Sequence, residues 1–190
     1  MRVAICGCAG IGKTALAAAL SSRLDAQLID ENYAPLFIAG GLSGAPEALA
    51  DRFEQVLRRK QPADRSTVVA DRCGADLFNL WLAHQLHRLA DRTAAFAAAC
   101  HEQTRRFDLL VFPPWDELKL VPHDAADSRV RVQNRWIQLR NHAAILGLAT
   151  LWRGPDRVLE LPRGLGTPAQ RARWLERELQ RRGLLPETAP

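Results

Sequence analysis

The chain alternates between two hydrophobic rhythms. Short runs of consecutive apolar residues, at 2–6, 26–29, 67–70, 108–112 and 158–161, read as buried strands. Between them lie longer segments whose apolar positions recur every three to four residues. Residues 14–24, rich in Ala and Leu, form the first of these helices. Glycines 40, 41 and 44 mark a loop, and Pro46 suits the first position of a second helix, which places Leu49, Phe53, Val56 and Leu57 on one face. A long helical stretch from about residue 76 to 103, with room for a break, follows the third strand. Pro113-Pro114 stops the fourth. Residues 130–146 read as the next helix, capped by Asp127 or Ser128 and stopped by Gly147, with 149–152 a further strand candidate. Thr167-Pro168-Ala169-Gln170 has the form of a capping box and opens the last helix, which ends near Gly183. Trp81, Trp136 and Trp174 fall at helical spacing with other apolar residues and are assigned to the core.

Strands and helices in alternation predict a parallel five-stranded sheet with helices on both faces. The sequence shows no internal repeat and no linker long enough to divide it, so a single α/β domain over residues 1–190 is expected. Hydrophobic residues make up 47% and charged residues 25%, the balance of a soluble globular protein. No apolar run approaches a membrane span, and Met1-Arg2 is expected to lead straight into a strand and not a signal peptide. Cys6, Cys8, Cys73 and Cys100 form neither a dense disulfide framework nor a paired CxxC site, so a reducing cytoplasm is the expected setting.

The net charge of +5 comes almost wholly from arginine. These arginines are scattered over helix faces without an aromatic-interleaved stripe, which argues against a nucleic-acid partner and suits a small polyphosphate. Lysine appears only at positions 13, 60 and 119. A chain that avoids lysine nearly everywhere places one in a glycine-rich stretch, where a compact ammonium is wanted and a bulky guanidinium is not.

That stretch is Gly7-Cys8-Ala9-Gly10-Ile11-Gly12-Lys13-Thr14, which fits GxxxxGK[ST] between a strand and a helix. Glycines let the backbone curl so that successive N–H groups point inward, and the helix N-terminus adds its partial positive charge. Lys13 is expected to reach the β- and γ-phosphates and Thr14 to offer its hydroxyl to Mg²⁺, with Cys8 a small filler. In a parallel sheet ligands sit beyond the carboxyl ends of the strands. Those ends carry Asp30-Glu31 after the second strand, Asp71-Arg72 after the third and Trp115-Asp116-Glu117 after the fourth. Phosphate donors, carboxylates and an arginine therefore share one rim, the set that phosphoryl transfer to a hydroxyl requires.

On these residues the chain resembles the nucleoside and nucleotide kinases of the P-loop superfamily, and most of all the nicotinamide-riboside-kinase-like small AAA-type ATPases. The resemblance rests on Gly7 to Thr14, on Glu31 after the second strand, on Asp71-Arg72 after "STVVA" and on "VPHDAADSRVR", which falls where those kinases carry a lid. It implies a three-layer fold with a small lid at about 119–131, ATP as phosphoryl donor, and Mg²⁺ held by Thr14 and Asp71. Asp71 would act on the metal directly or through water, or else orient the acceptor. Arg72 would contact acceptor or phosphate, Glu31 would bind or activate the acceptor hydroxyl with Asp30 as competitor, and Arg129, Arg131 and Arg135 would supply lid cations. The loop 162–166, with Arg163, would lie near the adenine. The resemblance points to transfer of the γ-phosphoryl group to a nucleoside-like acceptor. A nucleoside monophosphate kinase, or an ATPase switch without a small acceptor, are the alternatives. The residues also allow plainer roles: Asp30 or Glu31 as a loop cap, Asp71-Arg72 as an ion pair, Arg131 and Arg135 as one solvated helix face. His84 and His87 lack a matched carboxylate set and are not assigned a metal. The oligomeric state is open, a dimer included.

Overall fold

The computed structural model describes residues 1–30, 33, 45–59, 67–115 and 134–186. Five strands, β1 (Arg2–Ile5), β2 (Gln27–Ile29), β3 (Val68–Asp71), β4 (Leu109–Phe112) and β5 (Val158–Glu160), form one sheet in the order β2-β3-β1-β4-β5. Every pairing is parallel. The helices between them are α1 (Lys13–Leu24), α2 (Pro46–Arg59), α3 (Gly74–Ala83), α4 (Ala90–Arg105) and α5 (Arg135–Arg153), and α6 (Pro168–Arg181) follows β5.

Alternation along the strands divides the core. Val3 and Ile5 of β1, with Val69, Leu109 and Val111, face one side and meet Leu16 and Leu20 of α1 and Leu175 and Leu179 of α6. Ala4 and Cys6, with Ala70, Leu110 and Phe112, face the other side and meet Ala75 of α3 and Ile145 and Ala149 of α5. A third cluster lies beyond the sheet among α2, α3 and α4. There Trp81 stacks on Phe96 at 4.3 Å between ring centroids, and Phe53 meets both rings edge-on. The apolar face expected from Leu49, Phe53, Val56 and Leu57 is the face of α2 that enters this cluster.

The long helical stretch does break. α3 ends at Ala83, a 3₁₀ turn spans Leu86–Arg88, and α4 starts at Ala90. Thr93 fixes the break, because its hydroxyl donates to the Leu86 carbonyl at 3.0 Å and accepts the Trp81 indole N–H at 2.9 Å. Burial of an indole with its N–H satisfied favours the bend over a continuous helix.

Gly147 does not stop the helix. It lies inside α5, which runs on to Arg153 and ends at Gly154 with φ +81°, so residues 149–152 are helical and not a strand. Ile145 and Ala149, one turn apart, pack on the sheet across the glycine, and tertiary packing outweighs its low helix propensity. The described N-cap of α5 is Asn134, whose side chain accepts the N–H groups of Trp136 and Ile137 at 2.9 and 3.3 Å. The expected start at Val130, its caps Asp127 and Ser128, and the segment 119–131 lie outside the described residues. Trp136 is not in the core. It is 60% exposed, with the Arg135 guanidinium 4.4 Å from its ring centroid, whereas Trp81 is fully buried and Trp174 partly so.

Candidate active site at the phosphate loop

Parallel register sets the site. Ile5, the last residue of β1, lies level with Asp71 on one side and Val111 on the other, so the turn that leaves β1 opens between the ends of β3 and β4. Gly7, Gly10 and Gly12 all take positive φ, at +118°, +83° and +83°. Such angles strain any residue with a Cβ. Gly12 caps α1 without a side-chain hydrogen bond, and the N-terminus of a helix favours an anion.

Lys13 is buried, and its Nζ donates to the Cys8 carbonyl at 2.5 Å, folded back across the loop. Burial pushes the Cys8 thiol up to about 11, against the pull of Lys13 and Arg72, so Cys8 contributes its carbonyl and not a thiolate. Thr14, the next residue, donates from its hydroxyl to Asp71 Oδ2 at 2.6 Å. A hydroxyl and a carboxylate in contact at the edge of a phosphate-shaped loop are hard oxygen donors suited to Mg²⁺. The donor set fits the cation that the sequence implies.

Arg72 follows Asp71 with φ +73°, a left-handed conformation that a non-glycine residue adopts at a cost. The fold holds it there. Its N–H donates to the Ile5 carbonyl at 2.9 Å, its guanidinium lies 5.3 Å from the centroid of the buried Tyr33 ring, and Asp76 Oδ1 is 3.9 Å from its Nη1.

Sequence reasoning overlooked three residues that support the loop. Asp76 is fully buried, and its Oδ1 accepts the Gly7 N–H at 2.9 Å while Oδ2 accepts the Cys73 N–H at 3.0 Å. Its signal was its place as the third residue of α3. Arg171 donates from Nη1 to the Ile11 carbonyl and from Nε to the Leu165 carbonyl, both at 3.0 Å. Its signal was an arginine on the apolar stripe 171, 175, 179 of α6. His142 of α5 lies against Gly7, where a Cβ would come within 2.9 Å of Nδ1. Nothing in the sequence set it apart from an ordinary helical histidine.

Asp30 is exposed beyond β2, and Arg163 is exposed on the turn after β5. Glu31, Asp116, Glu117, Arg129 and Arg131 lie outside the described residues. Cys6, Cys73 and Asp76 bring three potential metal-ligating atoms within 4.8 Å of one another, with the two sulfurs 3.4 Å apart. Both oxygens of Asp76 are already hydrogen-bonded, and burial first, then Cys73, hold Cys6 as a neutral thiol. The trio is packing at the root of the loop.

Residues 2–148 match a family described as AAA domain. No curated protein matches the sequence. Among solved structures the chain is similar to the NadR protein in complex with NR, at 17% identity and a TM-score of 0.65, over all of this chain and 53% of that one. It is similar to the NadR protein in complex with NAD and AMP-PNP, at 16% identity and a TM-score of 0.66, over all of this chain and 51% of that one. It thus spans about half the length of NadR. It is also similar to shikimate kinase from Acinetobacter baumannii in complex with shikimate, at 17% identity and a TM-score of 0.60, over 97% of this chain and 95% of that one. Strand order, phosphate loop and family match agree: the chain belongs to the AAA domain family and has the fold of the P-loop kinases.

Proposed function

We propose that the protein is an ATP-dependent kinase that transfers the γ-phosphoryl group to a hydroxyl of a small, nucleoside-like acceptor. The observation that carries this reading is the 2.6 Å contact between Thr14 of the loop and Asp71 at the end of β3. It joins a phosphate cradle to a strand-end carboxylate, and Arg72 stands beside them. Solved structures of the same fold hold NR, AMP-PNP and shikimate, which supports a nucleotide and a small hydroxylated molecule as the ligands.

Mg²⁺ between Thr14 and Asp71 would neutralise phosphate charge and hold the phosphoryl group in line. The other tasks belong to the chain. Lys13 leaves the Cys8 carbonyl for the β- and γ-phosphates, and the N–H groups at the head of α1 hold the same oxygens. Arg72, preset by its strained backbone, contacts the acceptor or the transferred group. Glu31 takes the acceptor hydroxyl, Arg129 and Arg131 stabilise charge that grows during transfer, and Arg163 lies toward the nucleotide base. Among the described residues no helix is long and apolar enough to cross a membrane.

The test is ATP consumption measured against a panel of nucleosides, nucleotides and aminoglycoside-like alcohols. A nucleoside is expected to stimulate ADP formation well above background. Slow hydrolysis that no member of the panel stimulates would replace this reading with that of an ATPase module.

A further inference from the structure

His142 is a buried polar group that the reading above leaves without a task. Its residue is 6% exposed, its ring stands edge-on to Phe112 at 5.8 Å, and its Nδ1–Cε1 edge covers the space beside Gly7. Nδ1 is shut off from water and has no hydrogen-bond partner among the described residues. A buried nitrogen in that condition is uncommon, and a ligand is one way to supply the missing partner. Among the described residues two charged groups act on the ring, Lys13 from the head of α1 and Asp76 from α3. One turn away on α5 stand Gln138 and Leu146, neither of which titrates. Burial first, and Lys13 second, hold the imidazole below its ordinary range, against the weaker pull of Asp76.

We propose that His142 is a polyphosphate-recognition residue: neutral in the free protein, it takes a proton from solvent when the phosphates of a nucleotide settle in the loop. This rests on the loop's being a nucleotide site. Phosphate oxygens bring negative charge to Lys13, so the cation that adds to burial in keeping the imidazole neutral becomes part of an anionic environment. As an imidazolium the ring carries an N–H at both nitrogens, so Nδ1 is then a donor whichever nitrogen held the proton before. Binding and protonation are linked, so nucleotide affinity rises as pH falls through the range in which the bound protein holds the proton.

Calorimetry of ADP with Mg²⁺ near neutral pH, in buffers of different ionisation enthalpy, measures the protons taken up. The wild type is compared with His142→Asn, which keeps a polar atom near the place of Nδ1 but does not titrate, and with His142→Gln. Greater proton uptake in the wild type is expected, with affinity that tightens between about pH 8 and about pH 6 by up to roughly tenfold for each unit by which binding raises the imidazole pKa. Both variants should lose this dependence, a change that a purely structural role would not produce. Equal proton uptake in the wild type and in a folded variant overturns the proposal. Should both variants fail to fold, a wild-type affinity with no pH dependence beyond that of ADP itself overturns it. Absence of any ADP binding to the wild type instead overturns the nucleotide reading of the loop.

Discussion

The Asp76 carboxylate holds the first peptide of the phosphate loop, with Oδ1 on the Gly7 N–H at 2.9 Å and Oδ2 on the Cys73 N–H at 3.0 Å. One buried side chain thus ties the exit of β1 to the head of α3, and its charge faces Arg72. Asp76→Ala strands two buried N–H groups and removes the carboxylate beside the Arg72 guanidinium, which should cost about 3–5 kcal/mol. Asp76→Asn keeps one acceptor and should cost less. Urea unfolding of both variants measures the difference, and equal stability of wild type and Asp76→Ala would remove the carboxylate from the loop's support.

Gly74 and Gly147 should respond to alanine in opposite directions. A Cβ on Gly74 would come within 2.1 Å of the Cys100 carbonyl, a backbone atom that cannot turn aside. The head of α3 is also pinned there, because Gln103 accepts the Gly74 N–H at 2.6 Å and Thr104 the Ala75 N–H at 3.1 Å. Gly74→Ala must part α3 from α4 and should destabilise by on the order of 3 kcal/mol or more. A Cβ on Gly147 meets nothing within 4 Å, so Gly147→Ala should stabilise α5 by roughly 0.5–1 kcal/mol. Thermal melts of the pair test this, and a loss of stability in Gly147→Ala would contradict the helical placement of that residue.

Lys13→Ala removes an ammonium whose described hydrogen bond is to its own loop. Fold and melting temperature without ligand should stay close to wild type. The thermal protection given by ATP with Mg²⁺ should largely disappear, because mass-action stabilisation falls with affinity. Undiminished protection in the variant would take Lys13 out of the phosphate site.

Stability should also fall on mild acidification. Burial holds His84 below the ordinary imidazole value of 6.5, and burial together with Lys13 does the same at His142. The unfolded chain then binds protons at a higher pH than the folded one. This contribution is complete above pH 6.5 and declines as pH falls below it, until the folded imidazoles titrate in turn. The urea midpoint should drop between about pH 7.5 and about pH 5.5, and drop less in a His84→Gln, His142→Gln double variant.

The strands were legible because each is a short apolar run between breaks, and the phosphate loop because its spacing leaves few other uses for Lys13 and Thr14. Asp71-Arg72 followed from the rule that strand ends bear the chemistry, and register then set Asp71 level with Ile5. Gly147 misled because a glycine looks the same in a helix as after one; only Ile145 and Ala149 on the sheet decide which it is. Trp136 misled because a helical period does not say whether the first turn reaches the core, and here it does not. Asp76, Arg171 and His142 act on the loop across 69, 160 and 135 residues of chain respectively, and no local pattern records such distances.

The grip of Arg171 on the Ile11 carbonyl has a consequence for biosynthesis. The ribosome delivers the eight-residue motif well before the guanidinium that clasps it, which lies 160 residues further along the chain than the carbonyl it holds. A nascent polypeptide stalled before that point would display the whole signature with α6 still unmade. Competence to recognise nucleotide is on this view a late acquisition of the growing chain, conferred when α6 docks beside α1, and translational pausing upstream of residue 171 would postpone it.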